Sequence, residues 1–93
     1  MEIIKKEKFN QSLFEILDYI AKDSLSRALN FQDELEKMIN GLVHFPYKFR
    51  QSIYFNDVDI RDLIFKGYTI PYLIDEDNNK IVILGIIKYK NKL

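Results

Sequence analysis

The spacing of apolar residues changes near the middle of the chain. In the first half, Phe9, Leu13, Ile16, Leu17 and Ile20 recur at helical intervals, which puts one apolar stripe on one face of a helix. Asn10 or Ser12 is placed to cap it, and Ser12 with Glu15 has the spacing of a capping box. That helix is expected to run to about Ala21. A second stripe follows in Leu25, Ala28, Leu35, Met38, Ile39 and Leu42, with Asp23 or Ser24 as its cap and Phe45-Pro46 as its stop. So short a connection makes the two helices antiparallel neighbours, a helical hairpin. Ahead of them, Glu2 to Lys6 reads as a short strand.

The second half alternates with the two-residue period of strands. Val58 and Ile60, then Leu63 and Phe65, alternate around an expected irregularity at Arg61-Asp62. Lys66-Gly67 reads as a turn. Tyr68, Ile70, Tyr72 and Ile74 then share one face, with Thr69, Pro71 and Leu73 on the other. Asp75 to Asn79 is rich in turn formers. Ile81 to Ile87 is apolar on both faces, as a central strand is. The expected class is therefore α+β, in the order β-α-α-β-β-β, with an antiparallel sheet packed against the helical hairpin. Residues 1–93 form one domain. Pro71 stands out, because it removes a ladder donor from what reads as an inner strand. The strand is either bulged there or turns its donor side to an unpaired edge.

The hairpin can cover only one face of this sheet. The other face is also apolar along Ile81 to Ile87, and no further element remains to cover it. An uncovered apolar face marks an interaction surface, so a protein partner is expected.

Composition narrows the chemistry. There is no cysteine and only one histidine, His44, which excludes disulfides, thiolate sites and a histidine-built zinc site. No cofactor is implied. The N-terminal residues lack a signal-peptide pattern and no apolar run is long enough to span a bilayer, so a cytoplasmic location without membrane contact is expected. Lysines and arginines balance aspartates and glutamates at 14 each, which argues against binding nucleic acid through bulk charge. The balance is uneven along the chain. From Lys80 onward, Lys80, Lys88, Lys90 and Lys92 meet no acid, whereas acids gather in the helices and in Asp75-Glu76-Asp77.

These segments resemble a known family. Leu42-Val43-His44-Phe45-Pro46, Ile60-Arg61-Asp62-Leu63, Gly67-Tyr68-Thr69-Ile70-Pro71-Tyr72 and Ile81 to Ile87 follow one another with the order and spacing of the RelE/ParE toxins. The resemblance covers nearly the whole chain. It implies the toxin of a type II toxin–antitoxin pair, which inhibits bacterial growth and is neutralised by a cognate antitoxin in a hetero-oligomer. RelE-like members cut mRNA on the ribosome without a metal. ParE-like members inhibit DNA gyrase instead.

Within the resemblance, residue types separate the two activities. Metal-free RNA cleavage needs groups that move protons and groups that offset phosphate charge. The family's nucleases carry an arginine just after the Gly-Tyr of the third strand, where this chain has Thr69, and lysines on the second strand, where it has Asp59 and Asp62. Whether the chain is an enzyme therefore stays open. Tyr89 with Lys88 or Lys90 is the remaining catalytic candidate, and the bland alternative is a solvated lysine tail. Arg61, Lys88, Lys90 and Lys92 are candidates for contacting a target or partner. An ion pair with Asp59 or Asp62, or with an acid from a neighbouring strand, is the ordinary role for Arg61. His44 at a helix end fits the helix dipole better than a general base. Lys48 and Arg50 read as solvated loop residues, and Tyr68 and Tyr72 as core. Three functions are thus in view: a ParE-like gyrase-directed toxin without nuclease activity, a RelE-like ribosome-dependent endoribonuclease, and a non-toxic module that only binds an antitoxin.

Overall fold

The computed structural model of the chain describes residues 1–88. The elements are β1 (Glu2–Lys5), α1 (Glu7–Asp23), α2 (Leu25–Gly41), β2 (Ile60–Phe65), β3 (Tyr68–Asp75), β4 (Lys80–Ile83) and β5 (Ile87–Lys88). β2, β3 and β4 form the expected antiparallel meander. β1 joins it in parallel with β4, so the sheet is mixed and runs β1-β4-β3-β2. β4 is therefore an inner strand, hydrogen-bonded along both edges.

α1 starts earlier than the capping pattern suggested. Lys6 is still held in the sheet by its N–H to the Ile83 carbonyl, and its own carbonyl accepts from Asn10 N–H. The sheet fixes the start of the helix, so Asn10 and Ser12 lie inside α1 and cap nothing. α1 also continues past Ala21 to Asp23. Ser24 alone separates the helices, and its side chain accepts from Arg27 N–H at 3.2 Å as the cap of α2.

The core lies between the hairpin and one sheet face. Phe9 and Leu13 of α1 meet Phe31, Leu35 and Ile39 of α2 over Leu63, Phe65, Ile70, Tyr72, Ile74, Ile81 and Ile83. Burial of each such side chain contributes about 2 kcal/mol. Two ion pairs flank the core. Lys5 of β1 meets Glu36 of α2 at 2.6 Å, and Lys66 meets Glu34 at the same distance.

β2 is regular through Arg61-Asp62, and the expected irregularity lies elsewhere. Tyr72 faces Ile83, but Thr69 faces Ile87, so β5 carries one residue more than β3 across this stretch. The extra residue is the bulge at Leu84-Gly85-Ile86 that separates β4 from β5. Pro71 explains its position. Leu84 N–H reaches the Pro71 carbonyl at 2.9 Å, but Pro71 has no N–H to return. Strand three is thus inner and unbulged, and its missing donor faces a bulge in its neighbour.

Between α2 and β2 the chain wraps the edge of the sheet as a strap. On the helix side, the Pro46 carbonyl accepts from the Tyr72 hydroxyl at 2.6 Å. Gln51 then forms a single bridge to Arg61, with Asp62 N–H on the Arg50 carbonyl and Ser52 N–H on the Ile60 carbonyl. The strap then reaches the opposite face, where Ile53 N–H donates to Asp62 Oδ2.

Candidate partner-binding face

The face turned away from the helices is set by strand alternation. Cross-strand register places Ile60, Asp62 and Ile64 of β2 beside Leu73, Pro71 and Thr69 of β3, followed by Val82 of β4 and Ile4 of β1. Leu73, Val82, Leu84 and Ile4 are half-buried, and Ile64 and Ile87 are exposed. Ile64 and Ile87 flank Thr69 in one cross-strand row. This is an apolar surface with little charge, and it can take up an apolar side of a protein.

Two fully buried polar side chains lie within it. Asp62 is a strand residue with no exposure, and its charge is met by Arg50 at 3.6 Å and by the Ile53 N–H. Thr69 is equally buried. Its hydroxyl and Asp62 Oδ1 have no hydrogen-bond partner among the described residues. Neither position itself carries the cation that a phosphate-binding surface would need. Asp59 lies outside β2, at the end of the strap, where its carbonyl accepts from Ile74 N–H.

Arg61 points to the helix side. Its guanidinium donates to the carbonyls of Val58 and Phe49, both at 3.1 Å, and sits 5.0 Å from the centre of the Tyr47 ring. The ion pair expected with Asp59 or Asp62 is not formed, since Arg50 meets Asp62 instead. Next to Arg61, burial raises the Tyr72 hydroxyl to about 12, with the guanidinium charge opposing that rise. The Tyr47 hydroxyl is also pushed up to about 12, first by its 2.6 Å hydrogen bond to Glu76.

Lys88 lies at the other end of β3. It pairs with Tyr68 and lines a cleft with Ser12, Glu15, Ile16, Tyr19 and Ile86. Arg61 pairs with Tyr72, four residues along the strand or roughly 13 Å away, so the fold keeps these two cations apart. Tyr89, Lys90 and Lys92 lie outside the described residues. Tyr68 and Tyr72 pack with the core, as their alternation indicates. His44 is exposed just beyond α2.

Sequence reasoning missed the strap. Arg50 is exposed in the loop as expected but is also the ionic partner of a buried carboxylate, and Ile53, Tyr54, Phe55 and Val58 are all exposed. The only signal was four large apolar residues close to the turn formers Asn56 and Asp57. Among the described residues no cluster of potential metal ligands occurs, and no helix is long and apolar enough to cross a membrane.

Comparison with known proteins agrees with this geometry. The family model described as "ParE toxin of type II toxin-antitoxin system, parDE" matches residues 3–92. Among solved structures, a chain titled "Chromosomal ParDE TA system from P. aeruginosa" superposes with a TM-score of 0.76 at 17% identity, covering 97% of both chains. The isolated E. coli RelE toxin superposes with a TM-score of 0.68 at 11% identity, covering 98% of this chain and 86% of its own. A sequence search of curated proteins gives no match.

Proposed function

The chain belongs to the ParE toxin family of type II toxin–antitoxin systems, and from that premise we propose that it inhibits bacterial growth by binding DNA gyrase, without cutting RNA, until a cognate antitoxin neutralises it. One observation carries the choice against nuclease chemistry. The positions where RelE-like nucleases carry cations are Thr69, Asp59 and Asp62 here; Thr69 and Asp62 are buried, and Asp62 is itself met by the strap's Arg50. A surface that stabilises a scissile phosphate needs the opposite charge. The antitoxin covers the apolar sheet face around Ile64 and Ile87. Arg61, Lys88, Lys90 and Lys92 are proposed contacts to target or antitoxin, with Arg61 acting through the Tyr47 corner that it orders. The complex is a toxin–antitoxin hetero-oligomer in the cytoplasm.

The test is a supercoiling assay with purified gyrase. The protein at excess should block supercoiling, and prior addition of antitoxin should restore it. Undiminished supercoiling at excess protein rejects the reading.

A second reading has one observation in its favour. The cleft at Lys88 gathers a lysine, Glu15 and two tyrosines, Tyr19 and Tyr68, which are groups able to move protons. With Tyr89 and Lys90 beside it in sequence, Lys88 would then serve a RelE-like endoribonuclease. Ribosomes stalled on a defined mRNA should show an A-site cut that Lys88→Ala abolishes. The absence of any cut leaves the gyrase reading, or a module that binds antitoxin without toxicity; normal growth on induction would select the latter.

A further inference from the structure

The strap leaves large apolar side chains in solvent. Ile53 and Val58 are 65% and 62% exposed, Tyr54 and Phe55 nearly half, and Phe45 and Tyr47 extend the surface from the start of the strap. The two parts meet at Tyr47, whose ring lies under Arg61 while Arg61 donates to the Val58 carbonyl. Exposed apolar residues scattered singly need no explanation, but a contiguous set does. The strap is also fixed rather than loosely placed. The Tyr72 hydroxyl holds it at Pro46, Asp62 at Ile53 and Arg61 at the Val58 carbonyl, and Ser52 Oγ accepts from Tyr54 N–H within it. A surface held in one shape has less ordering to undergo when it binds.

Charge identifies what fits there. Asp59 and Glu76 reach the Tyr47 hydroxyl, and Asp57, Asp75 and Asp77 adjoin them in the strap and in the turn after β3. Among the described residues, none of these five carboxylates forms an ion pair with a lysine or arginine. Nearby cations are fewer. Arg50 is held by Asp62, which leaves Arg61 on its backbone carbonyls, Lys48 over the Phe49 ring and Lys80 across the strands from Asp75. Those three cations do not balance the five carboxylates, so this end is net negative although the chain as a whole is neutral. An apolar patch rimmed by unpaired carboxylates repels nucleic acid and attracts a cationic, apolar segment of another protein.

We propose that the Phe45–Val58 strap, with its rim of Asp57, Asp59 and Asp75 to Asp77, is a second docking surface, and that its occupant is a protein segment in which lysines or arginines are interleaved with large apolar residues. It touches the partner-binding face at Ile53, held by Asp62, but its rim at Asp75 lies six residues along β3 from Thr69, the row that Ile64 and Ile87 flank. It does not rest on the toxin reading, because it follows from exposure and charge alone.

Fluorescence anisotropy tests it with the full chain and two short labelled peptides, one alternating lysine with leucine and one with glutamate in place of lysine. The lysine peptide should bind at least about tenfold more tightly, and added salt should weaken it. Amide shifts in an NMR titration should fall on 45–58 and 75–77. Phe55→Ser and the pair Glu76→Gln with Asp77→Asn should each weaken binding, with unchanged circular dichroism. Phe14→Ser, a change at a still more exposed phenylalanine on α1, should leave it intact. Equal binding of both peptides, shifts centred on Ile64 and Ile87, or a loss with Phe14→Ser as large as with Phe55→Ser would overturn the proposal. So would displacement of the peptide by single-stranded RNA. A self-association that Phe55→Ser abolishes would overturn it in favour of a second copy of the chain. None of these readings involves gyrase or growth, so they stand apart from the fate of the toxin reading.

Discussion

Asp62 is a carboxylate on a strand, wholly removed from solvent, and it holds the strap through Arg50 and the Ile53 N–H. Removing it takes the acceptor from the part-buried Ile53 N–H and the carboxylate from the half-exposed Arg50. Asp62→Ala should therefore destabilise the protein by about 2 to 3 kcal/mol in urea denaturation. Asp62→Asn, which keeps an acceptor for Ile53, should cost less. Tyr72 gives a pH-dependent signal. Its folded hydroxyl titrates near 12 against 10 for an ordinary tyrosine, so the fold favours the neutral form. That contribution is complete below pH 10 and fades as pH climbs from 10 to about 12, because the unfolded chain ionises first. Tyr72→Phe should lower stability at neutral pH by about 1 kcal/mol through the lost bond to Pro46. It should also flatten the alkaline loss measured by denaturation at stepped pH. A variant that declines with pH as steeply as wild type would place the titration elsewhere. Tyr47 is exposed and solvent-screened, so its raised hydroxyl adds little to this slope.

At the scale of elements, two serines separate local pattern from actual structure. Ser12 has the spacing of a capping box yet lies within α1, whereas Ser24 caps α2 through Arg27 N–H. Thermal or urea denaturation should show a loss of about 1 kcal/mol for Ser24→Ala and a change within about 0.5 kcal/mol for Ser12→Ala. The reason Ser12 misled is tertiary. β1 must reach Lys6 to pair with β4, and the helix begins as soon as the sheet releases the chain. The β2–β3 turn was legible, and its detail is now fixed. Lys66 and Gly67 both have positive φ, 47° and 83°, the geometry of a two-residue type I′ hairpin. Gly67→Ala should destabilise by about 1 kcal/mol, since an alanine is strained at that φ. The bulge beside Pro71 was legible as a problem but not as a location. A missing N–H identifies which residue lacks a donor, while only the register of the neighbouring strand reveals which chain yields.

For the whole molecule, alternation along Tyr68 to Ile74 and the two-sided apolar run of β4 correctly distinguished a helix-covered face from one without helices. Ile64→Asp with Ile87→Asp should weaken binding of the cognate antitoxin at least about tenfold by titration calorimetry. Both residues are exposed, so circular dichroism should remain unchanged. Retained affinity would move the antitoxin to another surface. The family was legible from motifs spread over nearly the whole chain, because each reports a local constraint: a helix stop, a tight turn, a central strand. Periodicity alone thus determined the class, the hairpin, the inner strand and the side of the sheet that lacks helices. It could not determine that β1 pairs with β4, that Arg50 meets Asp62, or that Arg61 stacks on Tyr47. Each of those joins residues from separate segments, and their meeting depends on how the chain closes on itself. Tertiary structure likewise brought the Asp75 to Asp77 turn against the strap, making two unremarkable loops into one charged, apolar surface.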